Sequence, residues 1–145
     1  MIKDRHERSL VIGMANLRKT ILAVDDTTAS LKVIHATLGN EFIVCLAKSG
    51  GMAMSMLNNR QIDLILLDIE MPEMSGFDFI DIVKKKRVSE NIRTPFPPVI
   101  FVTSHATEEF VIKAIQMGGR DYIVKPFASE VLRNRVHNVF RSAGI

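Results

Sequence analysis

The feature that most constrains this chain is a set of short runs apolar at nearly every position, separated by segments with helical periodicity. Thr20-Ile21-Leu22-Ala23-Val24, Ile62–Leu67 (broken only by Asp63) and Val99–Val102 lack the in-out alternation of a half-exposed strand. Strands of that kind are covered on both faces, as in a parallel sheet held between two layers of helices. Two weaker β segments join them: Glu41–Ala47, with Phe42, Ile43 and Val44, and Tyr122–Val124. Helical patterns fill the intervals. Thr27–Leu38 places Leu31, Ile34 and Leu38 on one face and stops at Gly39-Asn40, and Ser49–Asn58 follows with Gly50-Gly51 at its start. Ser75–Lys86 presents Phe77, Ile80 and Val83; Thr107–Met117 ends at Gly118-Gly119; Ser129–Arg141 is amphipathic. Five β and five α segments in strict alternation predict an α/β, doubly wound, three-layer sandwich.

A chain of 145 residues fits one domain, expected over 19–143. Residues 1–18, charged and without a sustained period, are read as a disordered N-terminal extension, with Met14 a candidate true start. The patch Leu10–Ile12 is too short for a signal peptide, and no run approaches the ~20 apolar residues of a membrane helix. A net charge of +3 is too slight to argue for nucleic acid. The single cysteine, Cys45, excludes a disulfide framework and a cysteine-rich zinc site, and fits a reducing cytoplasm.

In a doubly wound sheet, functional groups collect at the carboxyl ends of the strands. Here the first strand ends in Asp25-Asp26, the third in Asp68 followed by Ile69-Glu70-Met71-Pro72, the fourth in Thr103-Ser104, and the fifth in Lys125-Pro126-Phe127. Each has an ordinary reading: Asp25 or Asp26 as a helix N-cap, Asp68 as a turn residue, Lys125 as a solvated charge, Thr103 as a strand former. Together on one edge they make a coherent chemistry. Three clustered carboxylates repel one another unless a cation joins them. A hard divalent ion with oxygen ligands, Mg²⁺ above all, resolves that repulsion and leaves positions for phosphate oxygens. Lys125 supplies a second positive charge, Thr103 a donor, and one carboxylate remains as a nucleophile able to form an acyl phosphate.

The stretches ILAVDD (Ile21–Asp26), LILLDIEMPEM with Ser75-Gly76 (Leu64–Gly76), VIFVTS (Val99–Ser104) and DYIVKPF (Asp121–Phe127) resemble the receiver domains of two-component response regulators. The resemblance runs from about Lys19 to Arg141. It implies a flavodoxin-like (βα)5 fold with a five-stranded parallel sheet in the order 2-1-3-4-5. It implies that Asp68 accepts a phosphoryl group from the phosphohistidine of a sensor histidine kinase or phosphotransfer protein. Asp25, Asp26, Asp68 and the main-chain carbonyl of Glu70 would hold Mg²⁺, with Mn²⁺ as a substitute. Thr103 and Lys125 match the switch hydroxyl and the lysine that contact phosphoryl oxygens, Ser104 the small residue beside that pocket, and Tyr122 the aromatic that turns inward with Thr103. Glu70 and His105 flank the route of water to the acyl phosphate and are expected to set its lifetime. Output is expected through the surface of the fourth helix, fifth strand and fifth helix, to a downstream protein or to an output domain of a longer protein, with phosphorylation-dependent homodimerisation as a further option. No catalytic turnover, direct nucleic-acid contact or membrane insertion is expected.

Two alternatives bracket this reading. An aspartate-nucleophile phosphohydrolase of the haloacid dehalogenase type also uses Asp, Thr and Lys on a parallel sheet, but its Asp-x-Asp stretch follows an early strand, and Asp68 is followed by Ile69-Glu70-Met71. The other is a receiver-like scaffold that is never phosphorylated. Elsewhere, Met52, Met54 and Met56 read as gap-fillers, Cys45 as a buried small apolar residue, and Arg133, Arg135, His137 and Arg141 as a solvated basic side of the last helix. His6, His35, His105 and His137 show no metal-ligand spacing, and Arg87–Pro98, with Pro95, Pro97 and Pro98, reads as a long loop.

Overall fold

The computed structural model describes residues 17–144. Five strands, β1 (Thr20–Val24), β2 (Ile43–Ala47), β3 (Leu64–Asp68), β4 (Val99–Thr103) and β5 (Asp121–Val124), alternate with five helices. The helices are α1 (Thr28–Leu38), α2 (Gly50–Asn59), α3 (Gly76–Ser89), α4 (Glu108–Gln116) and α5 (Ser129–Ala143). The strands form one sheet in the order β2-β1-β3-β4-β5, and every pairing is parallel. That is the expected doubly wound topology. The candidate start at Met14, His6 and most of the N-terminal extension lie outside the described residues. Of that extension, Arg18 is held by its guanidinium donating to the Asn40 carbonyl at 2.8 Å.

The core divides along the sheet because successive strand residues point to opposite faces. Leu22, Val24, Ile65, Leu67 and Phe101 face α2, α3 and α4, while Ile21, Ala23, Leu64, Leu66 and Ile100 pack with Leu31, Ile34, Leu132, Val136 and Phe140 of α1 and α5. Every residue of β1, β3 and β4 is buried. This is why those three runs carry no alternation, whereas the edge strands β2 and β5 are partly exposed. Phe101, with Phe79 one of the two largest fully buried side chains, meets Phe77 of α3 in a tilted ring contact, 5.2 Å between centroids.

The helix starts follow from their capping chemistry. Ser49, Ser75 and Thr107 each accept a hydrogen bond from a backbone N–H three residues on, and Ser75 forms a reciprocal capping box with Asp78. The Ser49 cap offsets the weak Gly50-Gly51 opening of α2. Thr27, before α1, does not cap with its side chain; its N–H and hydroxyl both donate to Asp25 instead.

Several expectations need adjustment. α3 continues to Ser89, so the proline-rich connection is shorter than the predicted loop. That connection is fastened by Phe96, which lies under Lys84 and Arg87 at 5.4 Å each, and by the Arg87 guanidinium donating to the Thr94 carbonyl. β3 begins at Leu64 rather than Ile62, because Asp63 Oδ2 accepts the Thr20 N–H at 2.8 Å and takes a place that a strand carbonyl would fill. The basic side of α5 is not simply solvated. Arg133 and His137 reach Glu41 at 3.5 and 2.9 Å, and Arg135 donates to both Asp121 Oδ1 and the Tyr122 carbonyl at 2.9 Å. Met54 and Met56 pack on the core as predicted, while Met52 stays exposed; Cys45 is buried, with the Arg60 guanidinium 3.0 Å from its sulfur.

Candidate functional site

The parallel register brings four strand ends to one edge of the sheet. Asp68 closes β3, Thr103 closes β4, Asp25 follows β1, and Lys125 follows β5. The backbone extends the ladders by one step, since Asp25 N–H donates to Ala47 O at 3.0 Å and Lys125 N–H to Thr103 O at 2.8 Å. The side chains therefore stand on rigid strand ends rather than on free loops. A further constraint lies beneath Asp68. A Cβ on Gly76 would sit 2.4 Å from the Asp68 carbonyl oxygen, so only glycine lets the start of α3 press against the end of β3.

Asp25 and Asp68 are almost completely buried, with 2% of each side chain exposed. Lys125 Nζ lies between them, 2.7 Å from Asp25 Oδ2 and 3.2 Å from Asp68 Oδ2. The other oxygens are also engaged: Asp25 Oδ1 accepts from Thr27, and Asp68 Oδ1 accepts the Glu70 N–H at 3.1 Å. Burial, reinforced by the charge of Asp25, pushes the Asp68 carboxyl up to about 7, although Lys125 and the Glu70 N–H pull the other way. Burial works against the Lys125 ammonium, but the two carboxylates outweigh it and raise its pKa. One ammonium thus serves two buried carboxylates, and the site is short of positive charge at neutral pH.

That shortage is the test of a metal. Oxygens of Asp25, Asp26 and Asp68 lie within 4.8 Å of one another, and Asp26 is half-buried beside its two buried neighbours. An all-oxygen, triply anionic donor set with too little compensating charge fits a hard divalent cation such as Mg²⁺. Thr103 is buried beside this cluster, Ser104 is exposed, and Tyr122 is half-buried against the core. Asp25, Asp26, Asp68, Glu70, Thr103, Ser104, His105 and Lys125 fall on or beside this edge, whereas Tyr122 lies within β5, opposite Phe101.

The comparisons with known proteins agree with this geometry. The family model for the response regulator receiver domain matches residues 21–137. The chain is a response regulator receiver domain. A protein of Vibrio cholerae serotype O1 named "Probable cyclic di-GMP phosphodiesterase" is 37% identical over 118 residues, covering 81% of this chain and 26% of that protein. The chemotaxis protein CheY of Pseudomonas aeruginosa is 32% identical over 122 residues, covering 83% of this receiver domain and 94% of CheY. Among solved structures, Vibrio cholerae CheY4 superposes with a TM-score of 0.75 at 27% identity, over 84% of this chain and 98% of that one. The receiver domain thus spans nearly all of CheY but only about a quarter of the longer relative. Among the described residues, no helix is long and apolar enough to cross a membrane.

One feature of the site was not anticipated. The Glu70 side chain turns toward β4, where Oε1 accepts from the Thr103 hydroxyl at 2.5 Å and lies 3.2 Å from His105 Nδ1, and Oε2 accepts the Ser104 N–H at 3.3 Å. Burial pushes the Glu70 carboxyl up, but the hydrogen bonds from Thr103, His105 and Ser104 prevail and hold it below the usual glutamate value. Glu70 and His105 were singled out for their sequence positions, two after Asp68 and two after Thr103. Their contact with each other depends on β3 and β4 being neighbours, which periodicity alone does not reveal.

Proposed function

We propose that this receiver domain is a phosphorylation-operated switch in which Asp68 accepts a phosphoryl group from the phosphohistidine of a sensor kinase or phosphotransfer protein. The observation that carries the reading is the buried Asp68 carboxylate, held by Lys125 and grouped with Asp25 and Asp26 at the sheet edge. In the transfer, an Asp68 carboxylate oxygen forms a P–O bond as the donor's P–N bond breaks, and the electron pair returns to the imidazole. Asp25, Asp26, Asp68 and the Glu70 carbonyl would hold Mg²⁺, or Mn²⁺ in its place. When bound, the ion offsets the charge of the carboxylates and of the incoming phosphoryl oxygens. Lys125 then supplies a point charge to the phosphoryl group, and Thr103 and Ser104 supply donors on its β4 side. Withdrawal of Thr103 toward the phosphoryl group makes room for Tyr122 to turn inward.

The output surface is formed by α4, β5 and α5, where Ile112, Ile115, Val124 and Val131 are exposed apolar residues. Phosphorylation biases it between two arrangements, for a protein partner, a second copy of the domain or an attached output domain. The reading places the domain, over 19–143, in the cytoplasm, with no turnover of its own beyond loss of the phosphoryl group and no direct contact with nucleic acid. Its test is intact-mass spectrometry after incubation with acetyl phosphate and Mg²⁺. One added phosphoryl group is expected, absent without Mg²⁺ and absent in Asp68→Asn. No adduct, together with no binding of beryllofluoride, would leave the scaffold that is never phosphorylated.

A further inference from the structure

Thr103 has one hydroxyl proton, and in this structure that proton goes to Glu70 Oε1, while the Thr103 hydroxyl oxygen accepts the His105 main-chain N–H at 3.0 Å. The Ser104 N–H is likewise directed at Glu70 Oε2. These are the two β4 donors that the proposed function assigns to phosphoryl oxygens. A carboxylate and a phosphoryl group are both anions with oxygen acceptors, and one proton cannot serve both at once. His105 adds a third contact on the solvent side, and the arrangement spans 33 residues of sequence between Glu70 and Thr103.

We propose that the Glu70 carboxylate is an internal competitor of the phosphoryl group. It occupies the Thr103 and Ser104 donors, so that phosphoryl binding and the Thr103 movement require its release. This rests on the reading of the site as a phosphoryl acceptor and adds a control on it. Glu70 is a positioning residue in this scheme: it acts through Thr103 and touches no reacting atom. The role also differs from setting the lifetime of an acyl phosphate already formed, because it acts on entry. A ligand that needs both donors binds only the fraction of molecules in which Glu70 has let go, and its apparent affinity falls by that fraction. With Glu70 on the donors, the domain is held toward its resting arrangement by a contact made entirely within the chain.

The experiment is a titration with beryllofluoride in saturating Mg²⁺, followed by calorimetry, on the wild type, Glu70→Ala, Glu70→Asp and Thr103→Val, and on each Glu70 variant combined with Thr103→Val. Asp at this position keeps the charge but is one methylene too short to reach Thr103. Glu70→Ala and Glu70→Asp should each bind about tenfold more tightly than the wild type, the scale of one charge-assisted hydrogen bond. In the Thr103→Val background that gain should shrink to about twofold, leaving only the Ser104 contact. A gain in Glu70→Ala with none in Glu70→Asp would mean that only long-range charge is at work, and would overturn the proposal. So would equal gains with and without Thr103. If the wild type binds beryllofluoride and no variant differs, the competitor fails while the acceptor reading stands; if no protein binds it, both fail together.

Discussion

At the scale of single residues, the site is organised around a shortage of positive charge. Asp68 is buried against Asp25 and shares one ammonium with it, and its carboxyl is pushed up to about 7 from an unfolded value near 3.8. A carboxyl raised in this way binds its proton more tightly folded than unfolded, so its contribution to stability is greatest in acid. That contribution falls as the pH rises from about 4 through 7 and then levels off. Replacing Asp68 by Asn removes the titration. In Mg²⁺-free buffer Asp68→Asn should be more stable than the wild type by on the order of 2 kcal/mol at pH 8, and the difference should fade toward pH 4.5. Thermal unfolding of both proteins across that range checks it; a difference that grows in acid would contradict the charge argument. Asp25, Asp68 and Thr103 were legible at this scale because each ends a strand whose apolar run is plain in the sequence, and Lys125 because it follows the shorter run Tyr122–Val124. The Glu70 carboxylate was not, because its direction is set by donors on a neighbouring strand.

At the scale of elements, strands and helices were both legible in the sequence. β1, β3 and β4 are apolar throughout because helices cover both their faces, and each was located to within about two residues. The run ahead of β3 misled at Ile62-Asp63: Ile62 is buried like a strand residue, yet the Thr20 N–H donates to the Asp63 side chain, leaving only the Asp63 N–H to Thr20 carbonyl bond between the main chains there. The basic side of α5 misled in the opposite sense. Arg135 looks solvated on a helical wheel, but Asp121 and the Tyr122 carbonyl, 14 and 13 residues earlier, meet it in space. Strand order was not readable from periodicity at all and came with the family resemblance. The β3–α3 junction, which carries Asp68, depends on the Ser75 capping box and on the bare Cα of Gly76. Ser75→Ala should cost about 1 kcal/mol in urea unfolding. Gly76→Ala should cost more and should also slow phosphorylation by acetyl phosphate, since the added methyl must displace the Asp68 carbonyl. A Gly76→Ala protein with normal phosphorylation would show that the close approach does not position Asp68.

At the scale of the whole molecule, a sheet buried on both faces supplies the rigidity against which the charged edge is built. Phe101, fully buried on the sheet face covered by α2, α3 and α4, should cost about 3–5 kcal/mol in urea unfolding when replaced by Ala. Divalent cations are expected to act on the same balance from the opposite end. Mg²⁺ at ten times its dissociation constant should stabilise the folded protein by about 1.4 kcal/mol through linkage. A rise in Tm with Mg²⁺ that persists in an Asp25→Asn, Asp26→Asn protein would place the ion somewhere other than this edge.

The position of Lys125 gives the sheet a mechanical side. The ammonium that keeps Asp25 and Asp68 from driving each other apart is borne by the outermost strand on its side, and β5 is paired only with β4. A strand with one neighbour is easier to peel away than one with two, so the electrostatic tension at the centre of the site is anchored to an edge of the sheet. Whatever changes the charge between those two carboxylates also changes the tether on that margin, and the fraying of one border of the sheet becomes a gauge of what the acid cluster holds.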